Sequence, residues 1–169
     1  MDGSELVVIG GRSGVGKSSV ASALHALLRV AGVQHAVVEG DALDLAWPAP
    51  WEHRLGMRNL TAIWANYREL GYRRLIYSNT VSVLEADELA GAMGDSPRIT
   101  GVLLTAADDV VDARLAARES GAELAAHVER SARAARRLQA DAPSWMPRIA
   151  TDGRTPAEVA RTVADLLPW

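Results

Sequence analysis

The 169-residue chain has no cysteine. Disulfides and thiolate metal sites are therefore excluded, which fits a reducing compartment. Lysine is almost absent as well: of 18 Lys plus Arg, 17 are Arg. Abundant Ala, Arg, Gly and Val point to a high-GC coding bias, which would replace surface lysines by arginine. No apolar run approaches the roughly 18–20 residues that span a bilayer, so no membrane partner is expected. The opening Met1-Asp2-Gly3-Ser4-Glu5 is acidic, unlike the basic start of a secretion signal. A cytoplasmic location follows as an expectation. A net charge of -3 provides no basic field, so nucleic acid is not an expected partner.

What is present suits one globular domain over 1–169, with 49% hydrophobic residues and no linker-like tract. Apolar strands and amphipathic helices alternate. Strands are predicted at Glu5–Gly10, His35–Glu39, Arg73–Ser78, Ile99–Leu104 and Pro147–Ala150. Helices are predicted at Lys17–Ala31, Arg54–Leu70, Leu84–Met93, from Asp108, from Gly121 to Ala140, and at Pro156–Leu167. In the helix after Asp108, the pattern turns Val110, Ala113, Leu115 and Ala116 inward. Every crossover is long enough to be helical, which predicts an α/β three-layer sandwich around a parallel sheet.

The surviving lysine has an informative address. Gly11-Arg12-Ser13-Gly14-Val15-Gly16-Lys17-Ser18 matches G-x-x-x-x-G-K-[ST], between a predicted strand and a predicted helix. Glycines let backbone N–H groups converge on an anion, and the helix N-terminus adds its dipole. Lys17 reaches β- and γ-phosphates, and the Ser18 hydroxyl can ligate Mg²⁺. Ser19, in the first turn, joins Gly11 to Ser18 in the expected ATP-binding set. A guanine-type Asn-Lys-x-Asp motif is impossible with one lysine. The third strand, ending Tyr77-Ser78-Asn79, lacks the terminal Asp of switch and motor NTPases.

The loop and the order of elements resemble the P-loop kinases of small molecules, such as gluconate kinase, adenylylsulfate kinase and chloramphenicol phosphotransferase. The resemblance implies a P-loop NTPase fold with a five-stranded sheet in the order 2-3-1-4-5. It also implies a short helical lid within about 114–137, and ATP with Mg²⁺ as cofactors. Glu39-Gly40-Asp41, at the exit of the second strand, corresponds to the segment whose Asp takes or orients the acceptor's hydroxyl proton. Asp41 is thus expected to be catalytic or to hold Mg²⁺ through water, with capping of the next helix as the competing reading. Glu39 reads as a strand-end charge.

Asp44, Trp47, Trp51, Arg54, Arg58 and Asn79 are the expected acceptor contacts, with Ser78 at the crevice mouth. Aromatic walls and arginines suggest a ring-bearing or polyhydroxylated acceptor, an anionic one included. Arg114 and Arg118, spaced i, i+4, are similar to the paired lid arginines that stabilise the transferring phosphoryl group. Ser120-Gly121 offers a hinge. Arg130 and Arg133 follow on the next helix, where pairing with Glu119, Glu123 and Glu129 on a solvated face is the alternative. Arg154 and Thr155 occupy the turn that packs on adenine in such kinases; an ordinary cap before Pro156 is the alternative. The pattern therefore predicts ATP-dependent phosphoryl transfer to a small-molecule hydroxyl, of a sugar acid, a nucleoside or nucleotide, or an antibiotic. The competing reading is an ATP-binding regulatory module. Monomer and homodimer both remain open.

Overall fold

Side chains alternate across a strand, so a segment buried on both faces must be apolar at every position. Leu6-Val7-Val8-Ile9 satisfies that, and it forms the middle of the sheet. A computed structural model describes residues 3–169; Met1 and Asp2, part of the acidic opening stretch, lie outside the described residues. The strands are β1 (Glu5–Gly10), β2 (Ala36–Glu39), β3 (Arg74–Ser78), β4 (Arg98–Thr105) and β5 (Arg148–Ala150). All pairings are parallel, in the order β2-β3-β1-β4-β5. The expected P-loop NTPase sandwich is the observed one. Register brings Glu39 directly beside Ser78, and Ile9 beside Ser78 on the other side.

The helices among the described residues are α1 (Lys17–Val30), α2 (Leu55–Glu69), α3 (Ala86–Met93), α4 (Asp108–Ala116), α5 (Gly121–Asp141) and α6 (Pro156–Ala164). They cover two separate apolar layers. Leu6, Val8, Leu75 and Tyr77 face Leu60 and Trp64 of α2, Leu89 of α3 and Leu138 of α5. Val7, Ile9 and Ile76 face Leu24 and Leu28 of α1 and Val159 and Val163 of α6. Among the described residues no helix is long and apolar enough to cross a membrane.

Short 3-10 turns at Gly40–Ala42, Trp51–His53 and Ser82–Leu84 were not expected. Two of them take the chain away from β2 and β3, at the carboxyl edge of the sheet. The inward face of α4 also differs from expectation. Val111 and Leu115 are buried, whereas Ala113 and Ala116 are exposed and Val110 only half-buried. With alanines on several sides, the α4 pattern has no dominant apolar face to set its phase.

Trp64 is 1% exposed, and its indole N–H donates to Asp95 at 3.2 Å. Trp64→Ala should cost about 3–5 kcal/mol, from lost burial plus a cavity. Denaturant titration should show this as a lower midpoint with an unchanged slope; a loss below about 1 kcal/mol would contradict the packing described.

Candidate functional site

Gly11 to Ser18 leaves β1 and enters α1. Gly14 and Gly16 hold φ of 84° and 103°, in the left-handed region that favours glycine. A side chain at Gly14 would also meet Val111 at 2.9 Å. The N-terminus of α1 has no side-chain cap and no acidic residue in its first turn. Its amides are left for an external anion. By contrast, α6 caps itself, with Thr155 and Glu158 forming a reciprocal box.

Several elements hold the loop from outside. The buried Arg12 guanidinium donates to Ser131 Oγ of α5 at 2.8 Å and pairs with Asp108 of α4. Ser131 Oγ in turn donates to the Ser13 carbonyl at 2.8 Å. His127 Nε2 lies 2.7 Å from Ser13 Oγ, and its Nδ1 lies 2.9 Å from Glu119 Oε1. Arg114 donates to the carbonyls of Val15 at 3.2 Å and Thr151 at 3.3 Å. The buried Thr151 hydroxyl donates to the Val15 carbonyl at 3.0 Å. Lys17 Nζ donates to the Arg12 carbonyl at 3.2 Å. Burial pushes the Lys17 ammonium below its ordinary value, and the nearby Asp41 and Glu39 pull it back up.

Facing the loop, the exits of β2 and β3 present oxygen ligands. Glu39 Oε2 accepts from Ser18 Oγ at 3.1 Å and from the buried Ser78 Oγ at 2.7 Å. Glu39 is therefore the carboxylate in contact with the loop hydroxyl, a connection that its reading as a strand-end charge missed. The clue was available: Glu39 ends β2 in the register position beside Ser78. Asp41 sits on the following 3-10 turn, exposed, and accepts from Asn79 Nδ2 at 2.8 Å. The Asn79 Oδ1 accepts from the Val81 N–H at 3.1 Å, which fixes the amide's orientation. No cluster of three or more His, Cys, Asp or Glu poised for a metal occurs among the described residues. The donor set around Ser18, Glu39 and Asp41 is all oxygen. That suits a hard cation such as Mg²⁺, which keeps most of its water and takes few protein ligands.

Beyond Asp41 lies a cavity of about 420 Å³, lined by Asp41, Asp44, Trp51, Arg54, Tyr77, Asn79, Glu85 and Glu88 among others. Of the expected acceptor residues, Asp41, Asp44, Trp51, Arg54 and Asn79 line it. Trp47 is 95% exposed and does not. Arg58 lines an adjacent shallow depression with His53 and Thr61. Asn59 donates to the Leu43 carbonyl at 2.5 Å, pinning the loop after β2 onto α2. Arg54 pairs with Glu88. Tyr77, Glu85 and Glu88 escaped sequence reasoning: Tyr77 falls within a predicted strand and the two glutamates within a predicted helix.

The expected lid arginines are divided. Arg114 is anchored to the loop as described. Arg118 is exposed and has no side-chain hydrogen bond or ion pair among the described residues. Arg133 pairs with Glu129 across one helical turn at 2.8 Å, both side chains solvated. Arg130 is exposed, beside Glu119, Glu123 and His127. Arg154 folds back onto α6, donating to the Glu158 carbonyl at 3.0 Å and to Thr162 Oγ1 at 2.6 Å. The Thr155 side chain is committed to the cap of the same helix.

No family model and no curated protein matches the chain. Solved structures do. The Deinococcus radiodurans tunicamycin resistance protein is 22% identical with a TM-score of 0.66, covering 96% of this chain and 94% of its own. The Mycobacterium tuberculosis APS kinase, solved with AMPPNP and APS, is 22% identical with a TM-score of 0.64, covering 100% of both chains. A Sinorhizobium meliloti gluconokinase is 22% identical with a TM-score of 0.58, covering 97% and 91%. Identities this low speak to the fold. The chain thus has the fold of the P-loop small-molecule kinases, end to end.

Proposed function

We propose that this protein is an ATP-dependent phosphotransferase that moves the γ-phosphoryl group to a hydroxyl of a small molecule. One observation carries the reading. A phosphate loop with an uncapped helix start opens, past Asp41, into a cavity large enough for a small acceptor. A regulatory module that only binds nucleotide has no need of that second cavity. The likeness to kinase folds supports the same reading.

In the proposed reaction the acceptor oxygen bonds to the γ-phosphorus as the bond to the β,γ-bridging oxygen breaks. The products are a phosphate monoester and ADP. The acceptor's hydroxyl proton passes to Asp41, whose carboxylate is oriented by Asn79. A loose transition state puts most of the burden on position and charge neutralisation. Lys17 would bring a half-buried cation to the β- and γ-phosphates. Ser18, Glu39 and Asp41 are the residues that would hold Mg²⁺, directly or through water. When bound, the ion offsets the charge of the β- and γ-oxygens. Arg114 braces the loop. Arg118, unengaged, is the arginine that would swing over the triphosphate, with the segment around 114–137 acting as the lid. Trp51 and Arg54 belong to the acceptor side.

Lys17→Ala should abolish phosphoryl transfer while the melting temperature stays near that of the parent protein. Normal turnover in that variant would remove the loop from the mechanism. Asp41→Asn should lower kcat by about 10²–10⁴, the range of a lost general base, with ATP affinity preserved in a fluorescence titration. An unaltered kcat would move the base elsewhere.

A further inference from the structure

The lining of the acceptor cavity has a pronounced sign. Asp41, Asp44, Glu85 and Glu88 bring four carboxylates to it, against one guanidinium, Arg54. That guanidinium is already paired with Glu88, and both side chains are more than half exposed. The other cation near Glu85 is Arg137 of α5, which is 65% exposed, does not line the cavity and sits 3.9 Å from Asp141. With Lys17 acting on Asp41 and Arg54 paired with Glu88, Asp44 and Glu85 remain uncompensated, and the field inside the cavity is negative.

Two further observations point into the same space. Tyr77 is only 5% exposed and lines the cavity, and its hydroxyl has no hydrogen-bond partner among the described residues. It lies against Gly40, where even a methyl group would meet it at 2.3 Å. The ring is buried while the hydroxyl opens onto the cavity, so the hydroxyl is placed to donate to or accept from whatever fills that space. Burial, followed by Glu85, Asp41 and Asp44, pushes its ionisation up to about 12, so it remains a neutral donor and acceptor. Glu85 is half-buried. Burial and then Glu88 push its carboxyl up, against the pull of Arg54 and Arg137. Like charges gathered in a partly desolvated wall are an unfavourable arrangement that a bound cation relieves.

We propose that the acceptor is a cationic alcohol, a small polyol carrying a primary ammonium group, of the amino sugar or aminocyclitol type. The ammonium is held by Asp44, Glu85 and Glu88, the Tyr77 hydroxyl bonds a hydroxyl of the ring, and the reacting hydroxyl faces Asp41. This rests on the phosphotransfer reading and narrows it. The anionic acceptors admitted by the arginine-rich sequence are disfavoured, because the cavity's one arginine is engaged by Glu88 while Asp44 and Glu85 have no cation paired with them among the described residues. Trp51 supplies the face on which the ring packs. The reaction converts R–OH and ATP into R–O–PO₃²⁻, ADP and a proton, and the amine is untouched.

The test uses the full chain with ATP and Mg²⁺ at neutral pH. ADP release is measured with streptamine and glucosamine, against the neutral glucose and the acidic gluconate. Titration calorimetry, in the presence of AMPPNP, reports binding of each probe separately. We expect kcat/KM for the amines to exceed that for glucose by at least about tenfold, the scale of one charge-assisted contact, with gluconate lowest. Glu85→Gln should raise KM for the amines about tenfold and narrow the preference over glucose. Its ATP affinity, measured in parallel, verifies that it is folded. Preferential turnover of gluconate or glucose would overturn the charge assignment and leave the kinase reading standing. Amine binding that weakens in Glu85→Gln, without turnover of any probe, would sustain the cation site and overturn the kinase reading. Absence of both amine binding and amine turnover would overturn the proposal.

Discussion

A loop that offers its amides to an anion cannot use the same amides to hold itself in shape. That constraint organises the surroundings of Gly11 to Ser18. The loop's carbonyls and side chains are secured instead, by partners far away in sequence. Ser131 holds the Ser13 carbonyl, Thr151 and Arg114 hold the Val15 carbonyl, and Arg12 is clasped between Ser131 and Asp108. Three elements from the second half of the chain, α4, α5 and the turn after β5, thereby set the conformation of a loop at its beginning. The start of α1 is left bare as a result.

The opposite wall obeys a different rule. Strand register places Glu39 beside Ser78, and the Glu39 carboxylate accepts from Ser78 and, across the gap, from Ser18. One residue pair further out, Asp41 and Asn79 form a second hydrogen-bonded step toward the cavity. The arrangement runs from an oxygen cluster at the loop to an acidic chamber. Burial favours neutralising Lys17, and the two carboxylates oppose this. The two carboxylates thus favour the charged form of Lys17 across the phosphate position.

The parts of this architecture that depend on neighbouring residues were legible in the sequence. The Gly-rich octapeptide, the doubly apolar Leu6 to Ile9 run and the single lysine led directly to the loop. The alternation of elements, with the resemblance, led to the sheet order. Residues whose meaning depends on distant register or contact were not legible. Glu39 acquires a role only when β2 lies beside β3, and Tyr77 only when the chain turns away at Gly40. Arg12 matched the loop motif, yet its side chain is consumed by α4 and α5. Arg154 bonds along α6 to the Glu158 carbonyl and Thr162, and Thr155 caps the same helix. Acidic residues at a helix start, such as Glu85 and Glu88, look like ordinary dipole partners until a cavity appears beside them.

The central claim is that the loop and the acidic chamber form one phosphotransfer site. Its most direct test follows the phosphorus itself. The full chain is incubated with Mg²⁺, ATP labelled at the γ-phosphorus and an aminated polyol, and the products are separated by mass. Label should appear in a phosphate monoester of the polyol, in step with ADP. Label recovered only in ATP or in inorganic phosphate would contradict the account.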